Sequence, residues 1–155
     1  MCIRDRASRY APFGSRGMYN EGPAWDFESG GSLNERLKWA NDQVFVTIML
    51  ETVGAFDHLD EMAAMPGIDA ITLGPTDLAQ EMGVFGTPEM GPALDEKRYQ
   101  IIEACNKYGK TAAMLVGTFD EAKKWRDAGV KLLGYSSEVG VMLEGFRKAM
   151  AAIKA

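Results

Sequence analysis

The chain has 155 residues, 46% of them apolar and 25% charged, enough apolar content to bury a core, which excludes intrinsic disorder. A net charge of −5, with no basic block and no basic-aromatic stripe, excludes a surface that tracks nucleic-acid phosphates and leaves small molecules as the better ligands. No apolar run approaches the roughly 20 residues that span a bilayer and no hydrophobic signal core opens the chain; Cys2 and Cys105 form neither a CxxC pair nor a disulfide framework, so no membrane contact and a reducing cytoplasm are expected.

Residues 1–6, MCIRDR, lack periodicity and read as a non-native prefix to be set aside from the fold. Residues 7–43 read as a loop-rich segment with a short helix. Within it, GPAWDFESGG carries Trp25 and Phe27 in surroundings too polar for a core, suited to a lid, a subunit contact or a loop anchor. Regular patterning begins at residue 44. VFVTIMLE, residues 44–51, is β-branched and continuously apolar, as a strand buried on both faces should be. GAFDHLDEMAAM then spaces Phe56, Leu59, Met62 and Ala63 by three and four, predicting one amphipathic helix closed by Pro66 and Gly67. His58, the single histidine, falls in mid-helix beside Leu59 as a surface residue and not a catalytic base.

IDAITLG, residues 68–74, is a second strand and runs through LGPTDLA into a loop containing GVFGTPEMGP. ALDEKRYQIIEACNKYG gathers Leu94, Tyr99, Ile101, Ile102 and Cys105 along a helical stripe that ends at Gly109, suited to a left-handed cap; Cys105 is a small filler of that stripe. TAAMLVG is the third strand, and TFDEAKKWRDAG is a helix opened by a Thr118/Glu121 capping box and stopped by Gly129. VKLLGYSS is the fourth strand and EVGVMLEGFRKAMAAIKA the closing helix; the ten methionines, scattered over these elements, are core filler. Residues 44–155 therefore form four consecutive βα units, an α/β pattern of parallel strands with helices outside, in either a doubly wound sheet or part of a barrel.

The strand C-terminal ends carry Glu51, Thr76 with Asp77, Thr118, and Ser136 with Ser137, at the edge where α/β proteins build their sites. Glu51 and Asp77 lie one βα unit apart, so on adjacent strands about 4.8 Å apart they converge. Two hard carboxylates suit Mg²⁺ or Mn²⁺. The competing reading makes Asp77 the N-cap of LAQEM and Glu51 an acid near the next helix start.

The stretch IMLETVGAFDHLDEMAAMPGIDAITLGPTDLAQEMGVFG resembles the HpcH/HpaI aldolase family, metal-dependent pyruvate aldolases such as 4-hydroxy-2-oxoheptanedioate and 2-dehydro-3-deoxyglucarate aldolases. The likeness continues through RYAPFGSRG and ANDQVFV and covers about residues 7–155; the pairing of ET with GPTDL, preceded by RG, is its specific part. It implies the C-terminal half of a TIM (β/α)₈ barrel with the first half missing, since a whole barrel takes about 250 residues. It implies Glu51 and Asp77 as ligands of a divalent cation, Mg²⁺ or Mn²⁺ first and Co²⁺ or Zn²⁺ next. The backbone amides of the Gly74, Thr76 and Asp77 turn would hold the carboxylate of a 2-oxo acid, Pro75 having none to donate. The implied activity is retro-aldol cleavage of a 4-hydroxy-2-oxo acid to pyruvate and an aldehyde, absent from the half-barrel alone, in a homo-oligomer that packs through its last helix and loops near the site. The implied histidine and arginine of catalysis belong to the other half of the barrel. Arg16, of the RG pair, is a lesser candidate at the site border or a subunit contact, and Glu138 stands where relatives often carry aspartate. Two alternatives accompany this expectation: a non-catalytic half-barrel that self-associates, and a citrate lyase β-subunit or malyl-CoA lyase-like enzyme acting on acyl-CoA.

Overall fold

A computed structural model describes residues 3–19, 23, 27 and 31–154. Four strands, β1 (Thr47–Leu50), β2 (Ala70–Leu73), β3 (Thr111–Val116) and β4 (Leu132–Tyr135), pair in chain order as one sheet, and every pair is parallel. Each strand lies inside its predicted segment but is shorter, because the parallel ladder engages only the central residues. The helices are α1 (Ile3–Ser8), α2 (Leu33–Gln43), α3 (Val53–Phe56), α4 (Leu59–Ala64), α5 (Pro75–Glu81), α6 (Met90–Tyr108), α7 (Phe119–Asp127) and α8 (Glu138–Lys154). No helix among the described residues is long and apolar enough to cross a membrane.

Strand alternation divides the sheet into two faces. Ile48 and Leu50, Ile71 and Leu73, and Ala112, Met114 and Val116 turn toward the helices. There they bury against Leu59, Ala63, Leu78, Leu94, Ile101, Cys105 and Trp125. Trp125 is 1% exposed and packs 5.3 Å from the Tyr99 ring, joining α7 to α6. Asp95 of α6 receives Arg98 from its own helix and Lys124 from α7, pinning the same junction. On the other face Met49, Leu115 and Leu132 stay 39%, 48% and 42% exposed, while Thr72 and Ala113 in register with Met49 are buried.

Two expectations and one competing reading are corrected here. Residues 3–6, set aside with the prefix, lie inside the first helix. α1 begins at Ile3, and Asp5, only 5% exposed, accepts Arg9 Nε at 2.5 Å. Arg9 donates also to the carbonyls of Asn41 and Val44, and buried Asn41 closes two hydrogen bonds on the Tyr10 backbone at 2.7 and 3.2 Å. Gly67 at φ 84 lets this clamp close, since a Cβ there would stand 2.4 Å from Asp5 Oδ2. The periodicity that marks a helix is invisible over one and a half turns, which is why α1 escapes a pattern-based reading. The helix predicted over 54–65 is two, α3 and α4, because His58 leaves helical geometry at φ −110, ψ 12 and interrupts the ladder. Asp77 is not an N-cap: Gly74 takes that place, Pro75 is first in the helix, and Asp77 lies within the first turn.

The cap signals hold, whereas α6 starts at Met90 inside the predicted loop and Met49, Met142 and Met150 are exposed and not core filler. Gly109 adopts φ 66 at the end of α6, and Thr118 Oγ1 accepts the Glu121 amide at 3.2 Å while Glu121 reaches back to the Gly117 amide at 2.9 Å. Trp25 lies outside the described residues; Phe27 is described and is 71% exposed.

Candidate metal and oxo-acid site

Glu51 is the first residue past β1. The register pairs Leu50 with Leu73, and the Gly74 amide donates to the Leu50 carbonyl at 2.8 Å, so Glu51 comes to lie beside Gly74. Alternation puts its side chain on the face of Thr47 and Met49, away from the helix layer. The space it enters exists because residue 74 has no side chain. A Cβ at Gly74 would stand 2.8 Å from Glu51 Cβ, 3.1 Å from Met49 Sδ and 3.3 Å from Glu51 Oε2. The glycine of the GPTDL turn is therefore a cradle for the glutamate of the ET pair.

Asp77 follows in the first turn of α5, exposed, with Thr76 exposed before it. The Leu78 amide is the first in α5 to bond back, onto the Gly74 carbonyl at 3.2 Å. The amides of Thr76 and Asp77 lie ahead of that bond, outside the helix's own ladder. The Gly74 amide is committed to Leu50, so among the three expected donors Gly74 contributes room and Thr76 and Asp77 contribute N–H groups. A fourth residue joins the two segments: Glu81, one turn beyond Asp77, accepts the Val53 amide through Oε2 at 2.8 Å. No sequence motif marked that bond, which spans 28 residues.

Two carboxylates at the C-terminal ends of adjacent parallel strands, one in a pocket made by a glycine, are a hard-oxygen donor set that fits Mg²⁺ or Mn²⁺. Among the described residues no group of three or more His, Cys, Asp and Glu gathers to hold an ion. The remaining candidates lie apart from this pair. Arg16 stacks its guanidinium 4.9 Å over the Tyr10 ring, in the segment that clamps α1 and α2. His58 is 65% exposed at its side chain and faces Glu61 at 3.2 Å. Thr118 and Ser137 spend their hydroxyls as helix caps, Ser137 Oγ accepting the Gly140 amide at 3.1 Å, and Glu138 opens α8 exposed to solvent.

This geometry meets independent findings from known proteins. Residues 4–144 match the family described as HpcH/HpaI aldolase/citrate lyase. The chain is 30% identical over 153 residues to a 4-hydroxy-2-oxo-heptane-1,7-dioate aldolase of Shigella sonnei, covering 95% of this chain and 55% of that protein. It is 32% identical over 151 residues to a hydroxypyruvate/pyruvate aldolase of Roseovarius nubinhibens, covering 94% and 56%. A crystal structure of an HpcH/HpaI aldolase/citrate lyase family protein from Burkholderia cenocepacia superposes with a TM-score of 0.81 at 28% identity, over 97% of this chain and 59% of the other. The chain thus spans a little over half the length of these relatives, and its four parallel βα units are consistent with part of a barrel. With sequence, fold and the placement of the ET and GPTDL segments in agreement, the chain belongs to the HpcH/HpaI aldolase/citrate lyase family.

Proposed function

We propose that the chain carries the metal-holding part of a carbon–carbon lyase that cleaves a 4-hydroxy-2-oxo acid to pyruvate and an aldehyde. The observation that carries this reading is the Gly74 cradle, which sets the Glu51 carboxylate beside the turn that leads to Asp77. Glu51 and Asp77 would hold a divalent cation, Mg²⁺ or Mn²⁺ before Co²⁺ or Zn²⁺. When bound, such an ion supplies Lewis acidity toward a keto oxygen. The Thr76 and Asp77 amides would donate to the substrate carboxylate at the positive end of α5. In the cleavage the C3–C4 bond breaks, the 4-hydroxyl gives up its proton as the aldehyde forms, and C3 gains a proton to become the methyl of pyruvate. His58 is turned to solvent and does not serve that transfer. On this reading the histidine and arginine for it would belong to the first half of the barrel.

The test is exchange of the pyruvate methyl protons for deuterium, followed by proton NMR, in this chain joined to the N-terminal half of a relative. Exchange should require Mn²⁺ or Mg²⁺ and should be lost in Glu51→Gln and in Asp77→Asn. Unchanged exchange in both variants would refute the ligand assignment. The acyl-CoA alternative draws on the citrate lyase branch of the family and on no residue described here.

The partner proposed for the chain is another copy of itself. On α8, Val139, Met142, Phe146, Met150 and Ile153 recur at intervals of three and four, form one apolar stripe and are all at least half exposed. None of the residues of α8 is buried. An apolar stripe left open along 17 residues supports packing against a second subunit.

A further inference from the structure

The two proposed ligands sit on separate pieces of chain, and only their relative placement makes them a pair. Glu51 belongs to the turn between β1 and α3; Asp77 belongs to α5. The sheet holds the start of both pieces, through the Gly74 amide on the Leu50 carbonyl at 2.8 Å. Past that bond the chain runs through exposed Glu51, Thr52 and Val53 into a helix of only four residues, whose hold on the core comes from half-buried Ala55 and Phe56 at its far end. Val53 opens this short helix, and its amide is one of the orphan donors that every helix start leaves without an internal partner. The partner it finds is the carboxylate of Glu81, the last residue of α5, at 2.8 Å. Asp77 lies one turn earlier on α5.

We infer that Glu81 is a positioning residue: by holding the Val53 amide it fixes the turn that carries Glu51 against the helix that carries Asp77, and so sets the spacing of the two metal-binding carboxylates. The inference rests on the metal reading of Glu51 and Asp77. Its physical basis is that outer hydrogen bonds which orient ligands are worth about ten- to a hundredfold in metal affinity. The bond lies at the start of α3, ahead of Ala55 and Phe56, where Glu51, Thr52 and Val53 are all exposed and make no core contact of their own.

Two variants remove the same bond from opposite sides. Glu81→Ala deletes the acceptor and also a negative charge. Val53→Pro deletes only the donor and leaves the charge. Proline suits the first position of a helix, and Thr52, already extended at φ −127, ψ 149, has the geometry a residue before proline requires. Glu81→Gln keeps an acceptor oxygen and drops the charge. Mn²⁺ is titrated into the chain and the free ion is read by electron paramagnetic resonance, with circular dichroism melting as the check on folding and Glu51→Gln as the reference.

Glu81→Ala and Val53→Pro should each weaken Mn²⁺ binding by about tenfold, the double variant by no more than either, and Glu81→Gln by less than about threefold. Folded Glu81→Ala and Val53→Pro variants that bind Mn²⁺ like the parent, while Glu51→Gln binds it poorly, overturn the positioning role and leave the metal site standing. A Glu81→Gln variant as weak as Glu81→Ala, with Val53→Pro unaffected, also overturns it, because Glu81 would then act by charge or as a ligand. Glu51→Gln binding like the parent removes the metal site itself and the inference with it. If Glu81→Ala does not fold, Val53→Pro and Glu81→Gln decide the matter.

Discussion

Gly74→Ala separates the cost to the fold from the cost to the site. Gly74 has φ −90, ψ 96, a conformation open to any residue, so alanine meets no backbone strain. The obstacle is contact: the new methyl would stand 2.8 Å from Glu51 Cβ and 3.1 Å from Met49 Sδ. Met49 can rotate its thioether away. Glu51 cannot respond in that way, because Cβ is fixed to the backbone and only a shift of the strand end relieves the clash. Overpacking of this kind costs about 1–3 kcal/mol, while the stiffer unfolded chain returns about 0.4–1 kcal/mol. A net loss of about 0.5–2 kcal/mol corresponds to a melting temperature lower by about 1–8 °C in a chain of this size. Displacing a ligand's support should cost Mn²⁺ affinity about ten- to a hundredfold, well beyond what the change in stability accounts for. Mn²⁺ titration by electron paramagnetic resonance and a thermal melt of the same sample give both numbers. An Mn²⁺ affinity equal to the parent's, in a Gly74→Ala chain that melts within the expected range, would falsify the account of the cradle.

Two more expectations follow from packing. Burial pushes the Cys105 thiol up to about 11 from an ordinary value of 9.0, so the unfolded chain releases this proton first as the pH rises. Its contribution to stability is then complete below about pH 9 and declines as the pH rises toward about 11, so melting temperatures over that window should fall more steeply in the parent than in Cys105→Ala; equal slopes would argue against a buried neutral thiol. On α8, Phe146→Glu places a charge in the middle of the apolar stripe and should lower the weight-average mass in sedimentation equilibrium without lowering helix content, whereas an unchanged association would assign the stripe no role between subunits.

What could be read from sequence was what local chemistry determines. The four apolar strand segments, the Gly109 terminus and the Thr118/Glu121 cap each depend on residues a few positions apart, and each occurs where its pattern placed it. Placement of Glu51 and Asp77 on neighbouring strands was legible from the βα order, because such units pair in sequence. The role of Gly74 was not. Its value lies in the side chain it lacks opposite Glu51, a fact of register across 23 residues and not of composition. The Glu81 to Val53 bond is likewise a pairing across segments, without a motif. The division of the helix at His58 also escaped, since Phe56, Leu59, Met62 and Ala63 keep helical spacing on either side of a backbone that turns. At α5, the competing reading of Asp77 as a cap fails: Gly-Pro supplies the start, and the acid that follows is left uncommitted to capping.

The clamp of Asp5, Arg9 and Asn41 grips the chain where it enters β1 and the glycine turn ahead of β2, whereas Glu51 and Asp77 lie beyond the strands' far ends. A strand of four residues, at roughly 3.3 Å per residue, puts about 13 Å between these two levels, farther than most substitutions make themselves felt. Changes at the two levels should therefore combine without epistasis. Divergence at the upper rim can then alter the proposed site while the lower rim preserves anchorage, and compensating gains in stability can be made below without disturbing the placement of Glu51 and Asp77 above.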